Sequence, residues 1–156
     1  MRTTPLRLIL LTALPALALI TCGGKDQKTD TAGGGNLRDK PLYDRLGGKD
    51  AITAVVDDFV ANVAADKRIS AFFTDADIPG LKTKLVDQIC EASGGPCKYT
   101  GKDMKTSHAG MGIKSGDFEA LVEDLKKSLD KFKVGAEEQG DLLGTLGPMK
   151  SEIVTP

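Results

Sequence analysis

Residues 51–65 read Ala-Ile-Thr-Ala-Val-Val-Asp-Asp-Phe-Val-Ala-Asn-Val-Ala-Ala, and they decide the fold class. Ile52, Val55, Val56, Phe59 and Val63 fall at i, i+3, i+4, i+7 and i+11, which is one face of an α-helix. A half-buried strand needs alternation every second residue, and no segment of the chain shows it. Asp66-Lys67-Arg68 closes this helix, and Ile69, Phe72 and Phe73 follow as a short apolar turn. Asp77 and Pro79 signal the next start, since proline is tolerated in a first turn. That helix carries Leu81, Leu85 and Ile89 inward and stops at Ser93-Gly94-Gly95-Pro96. Asp103 to Ala109 predicts a helix of about two turns, ended by Gly110 and Gly112. Ser115 is the expected N-cap of a long helix faced by Phe118, Leu121, Val122, Leu125, Leu129 and Phe132. After Val134-Gly135, one last helix is expected from Glu137 to Val154, with Leu142, Leu143, Leu146, Met149 and Ile153 inward. Its glycines, Gly140, Gly144 and Gly147, either admit a close backbone or are tolerated at the surface. The sum is an all-α domain.

Upstream, the chain changes character. Residues 1–21 hold Arg2 and Arg7, then an apolar run from Leu8 to Ile20 broken only by Thr12 and Pro15. The run is too short to span a bilayer and suits a secretory signal. Leu19-Ile20-Thr21-Cys22-Gly23 resembles the bacterial lipoprotein signal, with Thr21 where that signal prefers Gly or Ala. The resemblance implies lipid on Cys22 and a periplasmic-side domain anchored to a bacterial membrane; an ordinary secreted protein with a free Cys22 is the alternative. Gly23, rather than Asp, resembles the outer-membrane sorting class. Residues 22–40 are polar and Gly-rich, and read as a flexible tether spanning about 25 Å. The folded domain is therefore expected over 41–156, one domain in a chain of 156 residues.

Composition excludes several functions. Lys plus Arg is 21 against 22 Asp plus Glu, so no overall basic field exists for nucleic acid. Trp is absent and Tyr and Phe number 2 and 5, too few for a base-stacking platform. One histidine and three cysteines cannot build a zinc finger, a two-histidine protease site or a four-cysteine zinc site. The glycine-rich stretches lack the Lys-Ser/Thr ending of a phosphate loop, and no nucleophile elbow is present. Asp57-Asp58 and Glu137-Glu138 are adjacent pairs and read as solvated faces.

What remains is His108, in Met104-Lys-Thr-Ser-His108-Ala-Gly-Met-Gly-Ile113. A lone histidine is usually structural. Here it is accompanied by Phe72, Phe73, Leu81, Leu85, Met104, Ile113 and Phe118, at the ends or inner faces of separate helices. One nitrogen ligand with apolar packing around it suits one axial bond to a flat hydrophobic cofactor, and haem needs that combination.

Six ordered segments then resemble the group 1 truncated haemoglobins. They are Leu42-Tyr43-Asp-Arg-Leu46-Gly47-Gly48; Val55-Val56-Asp-Asp-Phe59; Ile69-Ser-Ala-Phe72-Phe73; Gly94-Gly95-Pro96 with Tyr99-Thr100-Gly101-Lys-Asp-Met104; His108-Ala-Gly110-Met-Gly112-Ile113; and Pro148 to Val154. The resemblance implies a two-over-two helical sandwich around b-type haem. It implies that His108 is the proximal iron ligand, that Phe73 stacks on the ring, and that Met104, Ile113 and Phe118 contact the haem. On the distal side, the residue after Phe59 is commonly a Tyr that donates a hydrogen bond to the gas ligand; here it is Val60. The facing positions, where such proteins often place Gln, are Leu81 and Leu85. Gln88 lies on roughly the same face and either substitutes or sits at the haem edge. The function implied is binding of O2, NO or CO at a five-coordinate iron in an apolar distal pocket, with an electron donor that the sequence does not identify. A nitric oxide dioxygenase or peroxidase-like haem enzyme is the alternative, and the missing Tyr counts against it; a haem-free interaction domain of globin shape is a third.

Two further expectations concern Lys84 and the cysteines. Lys84 flanks Leu85, and in some truncated haemoglobins a residue here swings in to bind iron. A lysine ligates only when neutral, so pairing of the ammonium with a haem propionate is favoured. Cys90 and Cys97 flank Glu-Ala-Ser-Gly-Gly-Pro, and export permits a disulfide between them, free thiols being the alternative.

Overall fold

The computed structural model describes residues 36–155. The signal segment, Cys22 and most of the tether lie outside the described residues. Seven α-helices follow in order: α1 (Leu42–Arg45), α2 (Gly48–Ala65), α3 (Ile78–Ala92), α4 (Met104–His108), α5 (Ser115–Lys131), α6 (Ala136–Leu146) and α7 (Lys150–Ile153). A 3-10 turn, Ser70–Phe73, joins α2 to α3, and no strand occurs among the described residues.

Helix α2 is the centre of the domain. Ile52, Val55, Val56, Phe59, Val60 and Val63 are all buried on it, the face expected from their spacing with Val60 added. It packs on α3 and on α5, which contribute Val86, Ile89 and Cys90, and Ala120, Leu125 and Leu129. The α2–α5 seam also carries a polar cluster. Ser128, fully buried, donates to Asp58 at 2.9 Å, and Asn62 donates to Ser128 at 2.9 Å and to Asp58 at 3.3 Å. Lys131 closes the cluster; its hydrogen bond, helped by that of Ser128, outweighs burial and holds the Asp58 carboxyl below the usual range. Asp58 is thus a partner in the seam rather than part of a solvated face. The periodicity could not show this, because Ser128 and Lys131, which pair with it, lie 70 and 73 residues away in sequence. Glu138 likewise receives Arg45, whose guanidinium bridges Glu138 and Asp141 and fastens α1 to α6.

Three boundaries differ from expectation. Ser115 is the first residue of α5 and does not cap it; the cap is Lys114, whose N–H donates to the Asp117 carboxylate at 2.8 Å. The last helix is broken into α6, a 3-10 turn over Gly147–Met149, and α7. Pro148 has no N–H to give to the helix ladder, so the chain tightens there. A Cβ on Gly140, Gly144 or Gly147 would meet nothing within 4 Å, so none admits a close backbone within the chain; Gly140 and Gly144 are exposed, and Gly147 borders a cavity. Finally, the turn Leu37–Asp39 lies inside the stretch read as tether. Asn36 caps it, and Arg38 pairs with Glu137 of α6 at 2.9 Å.

Candidate functional site

A cavity of about 640 Å³ opens among α2, α3, α4, α5 and the C-terminal pieces, within the roughly 300–1,000 Å³ of cofactor and ligand pockets. Its only ionisable or amide side chains are Asp77, Lys84, Gln88, Tyr99, His108 and Asp117. The residues singled out from sequence all line it: Phe59 and Val60 from α2, Phe73 from the connecting turn, Leu81, Lys84, Leu85 and Gln88 from α3, Met104 and His108 from α4, then Ile113 and Phe118.

The histidine is aimed by its own short helix. Asp103 caps α4, accepting from the Thr106 hydroxyl at 2.7 Å and the Thr106 N–H at 2.8 Å. Those two bonds, the hydroxyl first, hold the Asp103 carboxyl below its ordinary pKa. One turn later, His108 Nδ1 lies 2.8 Å from the Met104 carbonyl. A carbonyl only accepts, so Nδ1 carries the proton and Nε2 keeps its lone pair. The half-buried ring is therefore fixed in the tautomer a metal ligand needs. Gly110 and Gly112, at φ of 78° and 65°, turn the chain away immediately afterwards, in a backbone region that side chains disfavour.

The approach to α4 is tied down as well. Cys90, fully buried on α3, is bonded to Cys97, with S–S 2.00 Å and Cα–Cα 5.7 Å. The Tyr99 N–H then donates to Glu91 at 3.0 Å, and its hydroxyl donates to the Lys102 carbonyl at 2.7 Å. On the far side, the Thr155 N–H donates to the Ile113 carbonyl at 2.9 Å, and α4 packs on α7.

Lys84 is exposed at the cavity edge and makes no ion pair among the described residues. Gln88 turns toward α4 and the C-terminal turn: its Nε2 lies 3.4 Å from Met104 Sδ and 3.6 Å from Met149 Sδ. Among the described residues no three His, Cys, Asp or Glu converge on a metal site. A metal facing His108 has to bring its other ligands with it.

A family of bacterial-like globins matches residues 41–155. A group 1 truncated hemoglobin of Mycolicibacterium paratuberculosis is 39% identical over 114 residues, covering 73% of this chain and 84% of that one. The chain belongs to the group 1 truncated haemoglobins. Among solved structures, the Fe(III) form of truncated hemoglobin from Tetrahymena pyriformis is 27% identical with a TM-score of 0.72, covering 75% of this chain and 100% of that one. A 2/2 hemoglobin from a Synechococcus species is 26% identical with a TM-score of 0.70, covering 74% of this chain and 98% of that one.

The cofactor of a truncated haemoglobin is haem iron, and the residues present fit it. Haem would bring the iron's remaining nitrogen ligands, which no cluster among the described residues provides; the cavity offers mostly apolar walls, and His108 offers one nitrogen with a free lone pair. The wall of this truncated haemoglobin extends beyond the site residues expected from sequence. Tyr99 and Met111 line the cavity, and so do Leu143, Leu146, Met149 and Ile153. The last four lie on the inward face that their period predicts, but the period does not distinguish a core from a cavity. Leu142 takes the core, 2% exposed and away from the lining.

Proposed function

We propose that this truncated haemoglobin binds b-type haem through His108 Nε2 as its one protein ligand, and takes diatomic gases (O2, NO and CO) at a five-coordinate iron. The observation that carries the proposal is the His108–Met104 hydrogen bond, which leaves Nε2 as a free lone pair directed from a capped helix. Haem supplies the iron at which the gas binds. The protein's part is to hold the proton on Nδ1, to fix the imidazole plane, and to keep water out with Phe59, Val60, Phe73, Leu81 and Leu85. Phe73 is assigned to ring stacking, and Met104, Ile113 and Phe118 to haem contact.

The second face of the haem is assigned to Val60, Leu81 and Leu85, none of which has a hydrogen-bond donor. A charge-assisted hydrogen bond is worth roughly 1.5–3 kcal/mol. Without one, dioxygen should bind on the order of 10–100-fold more weakly than in a pocket that provides it. Carbon monoxide and nitric oxide depend less on a donor. Gln88 is assigned to the haem edge, since its amide is turned toward two sulfurs. Lys84 is assigned to a haem propionate, which leaves its ammonium hydrated and its stem on apolar surface.

Ferrous and ferric absorption spectra, with titrations of the three gases, test this reading. A five-coordinate ferrous form is expected, with dioxygen affinity raised by Val60→Tyr. A six-coordinate low-spin ferric form that disappears in Lys84→Ala would make Lys84 a ligand and overturn the propionate assignment. We propose further that Cys22 carries lipid and that the tether holds the domain at the periplasmic side of a bacterial membrane. Cys22→Ser should release the protein or block its processing, and unchanged fractionation and size would reject the anchor.

A further inference from the structure

The chain has four methionines; apart from Met1, all of them (Met104, Met111 and Met149) line the same cavity. Two are linked through one amide. Gln88 Nε2 stands 3.4 Å from Met104 Sδ and 3.6 Å from Met149 Sδ, whereas Met111 has no such partner among the described residues. An N–H directed at a thioether is a weak hydrogen bond, well short of what a glutamine amide finds at an oxygen. A thioether sulfur is also a two-electron donor to peroxides. As oxygen moves to sulfur, negative charge grows on the oxygen that leaves and on the one that stays. A Gln88 N–H that turns from the sulfur onto an oxygen as this charge develops frees the lone pair for attack and stabilises the charge.

We propose that Met104 and Met149, joined by Gln88, form a modification site for hydroperoxides. In the step, a sulfur lone pair attacks the distal peroxide oxygen, the O–O bond breaks and an S–O bond forms. The thioether loses two electrons and becomes a sulfoxide. The hydroperoxide is reduced, and its remaining oxygen takes the transferred proton and departs as water or an alcohol. The product oxygen accepts from Gln88 Nε2 far better than sulfur does, and it turns two apolar side chains of a mostly apolar wall into polar ones. One consequence, faster release of haem from the oxidised protein, rests on the haem reading; the modification itself does not.

The test treats the purified protein with hydrogen peroxide and follows the gain of one oxygen at each methionine by mass. Cleavage after lysine places Met104, Met111 and Met149 in separate fragments. Met104 and Met149 should oxidise about threefold or more faster than Met111, the size expected of a weak donor contact. Gln88→Leu should remove the difference, with helix content checked by circular dichroism. Gln88→Glu, which also lacks the donor, serves if the leucine variant does not fold. Met111 oxidising as fast as the other two, or a difference that survives loss of the Gln88 amide, would overturn the proposal. The haem spectrum, recorded separately, shows whether the haem reading itself has failed.

Discussion

The α2–α5 seam and the segment over residues 98–114 are held in opposite ways. In the seam, Val56, Ser128 and Leu129 are at most 1% exposed, and the polar groups of Asp58, Asn62, Ser128 and Lys131 answer one another. In the 98–114 segment only Ile113 is buried. Its one helix has five residues, too few to persist alone, and two left-handed glycines follow it. The segment is fixed by its attachments: the disulfide, the Tyr99 bonds, the Asp103 cap and the Thr155–Ile113 bond. Val56, Ser128, Leu129 and the Asp58 cluster find their partners within the chain, while Phe59, Val60 and Phe118 of the same two helices turn to the cavity. The part that carries His108 faces a cavity and leaves one side for a cofactor to pack against.

Substitution in the frame should therefore damage folding and spare haem chemistry. Leu129→Ala, which empties a site 1% exposed, should cost about 2–5 kcal/mol in thermal or denaturant unfolding. The folded fraction should keep its spectrum; a changed spectrum would mean the two regions are coupled. Replacing Cys90 and Cys97 by serine opens a loop with a sequence separation of 7, for an expected loss of about 2–3 kcal/mol. Because that loop leads to α4, haem release should quicken as well. Two titratable thiols in the native protein would show that the crosslink does not form.

The contrast also explains what could be read from sequence. The helices of the frame, α2, α3 and α5, were legible because burial imposes a period on Ile52 through Val63, on Leu81 through Ile89 and on Phe118 through Leu129. His108 stood out as a candidate for a different reason, being the only histidine and set among ordered family motifs, and it lines the cavity. The Asp58 cluster was not, since its partners are brought together only by the packing of α2 on α5. Neither was the break at Pro148, where apolar spacing runs on through a change of helix type. Ser115 has the chemistry of a cap, but Asp117 took the bond with the Lys114 N–H. Nor did the spacing show that Met149 and Gln88 meet, because they are 61 residues apart.

Asp103→Ala removes the cap that aims α4, and haem transfer to an acceptor protein should speed a few-fold while the seam keeps its unfolding midpoint. An unchanged transfer rate would show that α4 needs no cap once loaded. The smallest effect is acid-dependent. Hydrogen bonds from Arg68 lower the Asp66 carboxyl from 3.8 to about 2 in the folded chain. Because the folded pKa lies below the unfolded one, Asp66 adds stability above pH 4 and loses it as the pH falls toward about 2. Asp66→Asn should make stability less dependent on pH across that interval, as measured by unfolding at a series of pH values. An identical slope in both proteins would remove Asp66 from the account.

The central claim is that His108 alone ties the chain to iron, through the nitrogen that its bond to Met104 leaves free. The direct measurement is the ferrous absorption spectrum of His108→Gly, recorded without and with added imidazole. Little or no bound haem is expected in the variant alone, and a five-coordinate, histidine-like spectrum should return when imidazole enters the space left by the side chain. A normal histidine-ligated spectrum from His108→Gly without imidazole would contradict it.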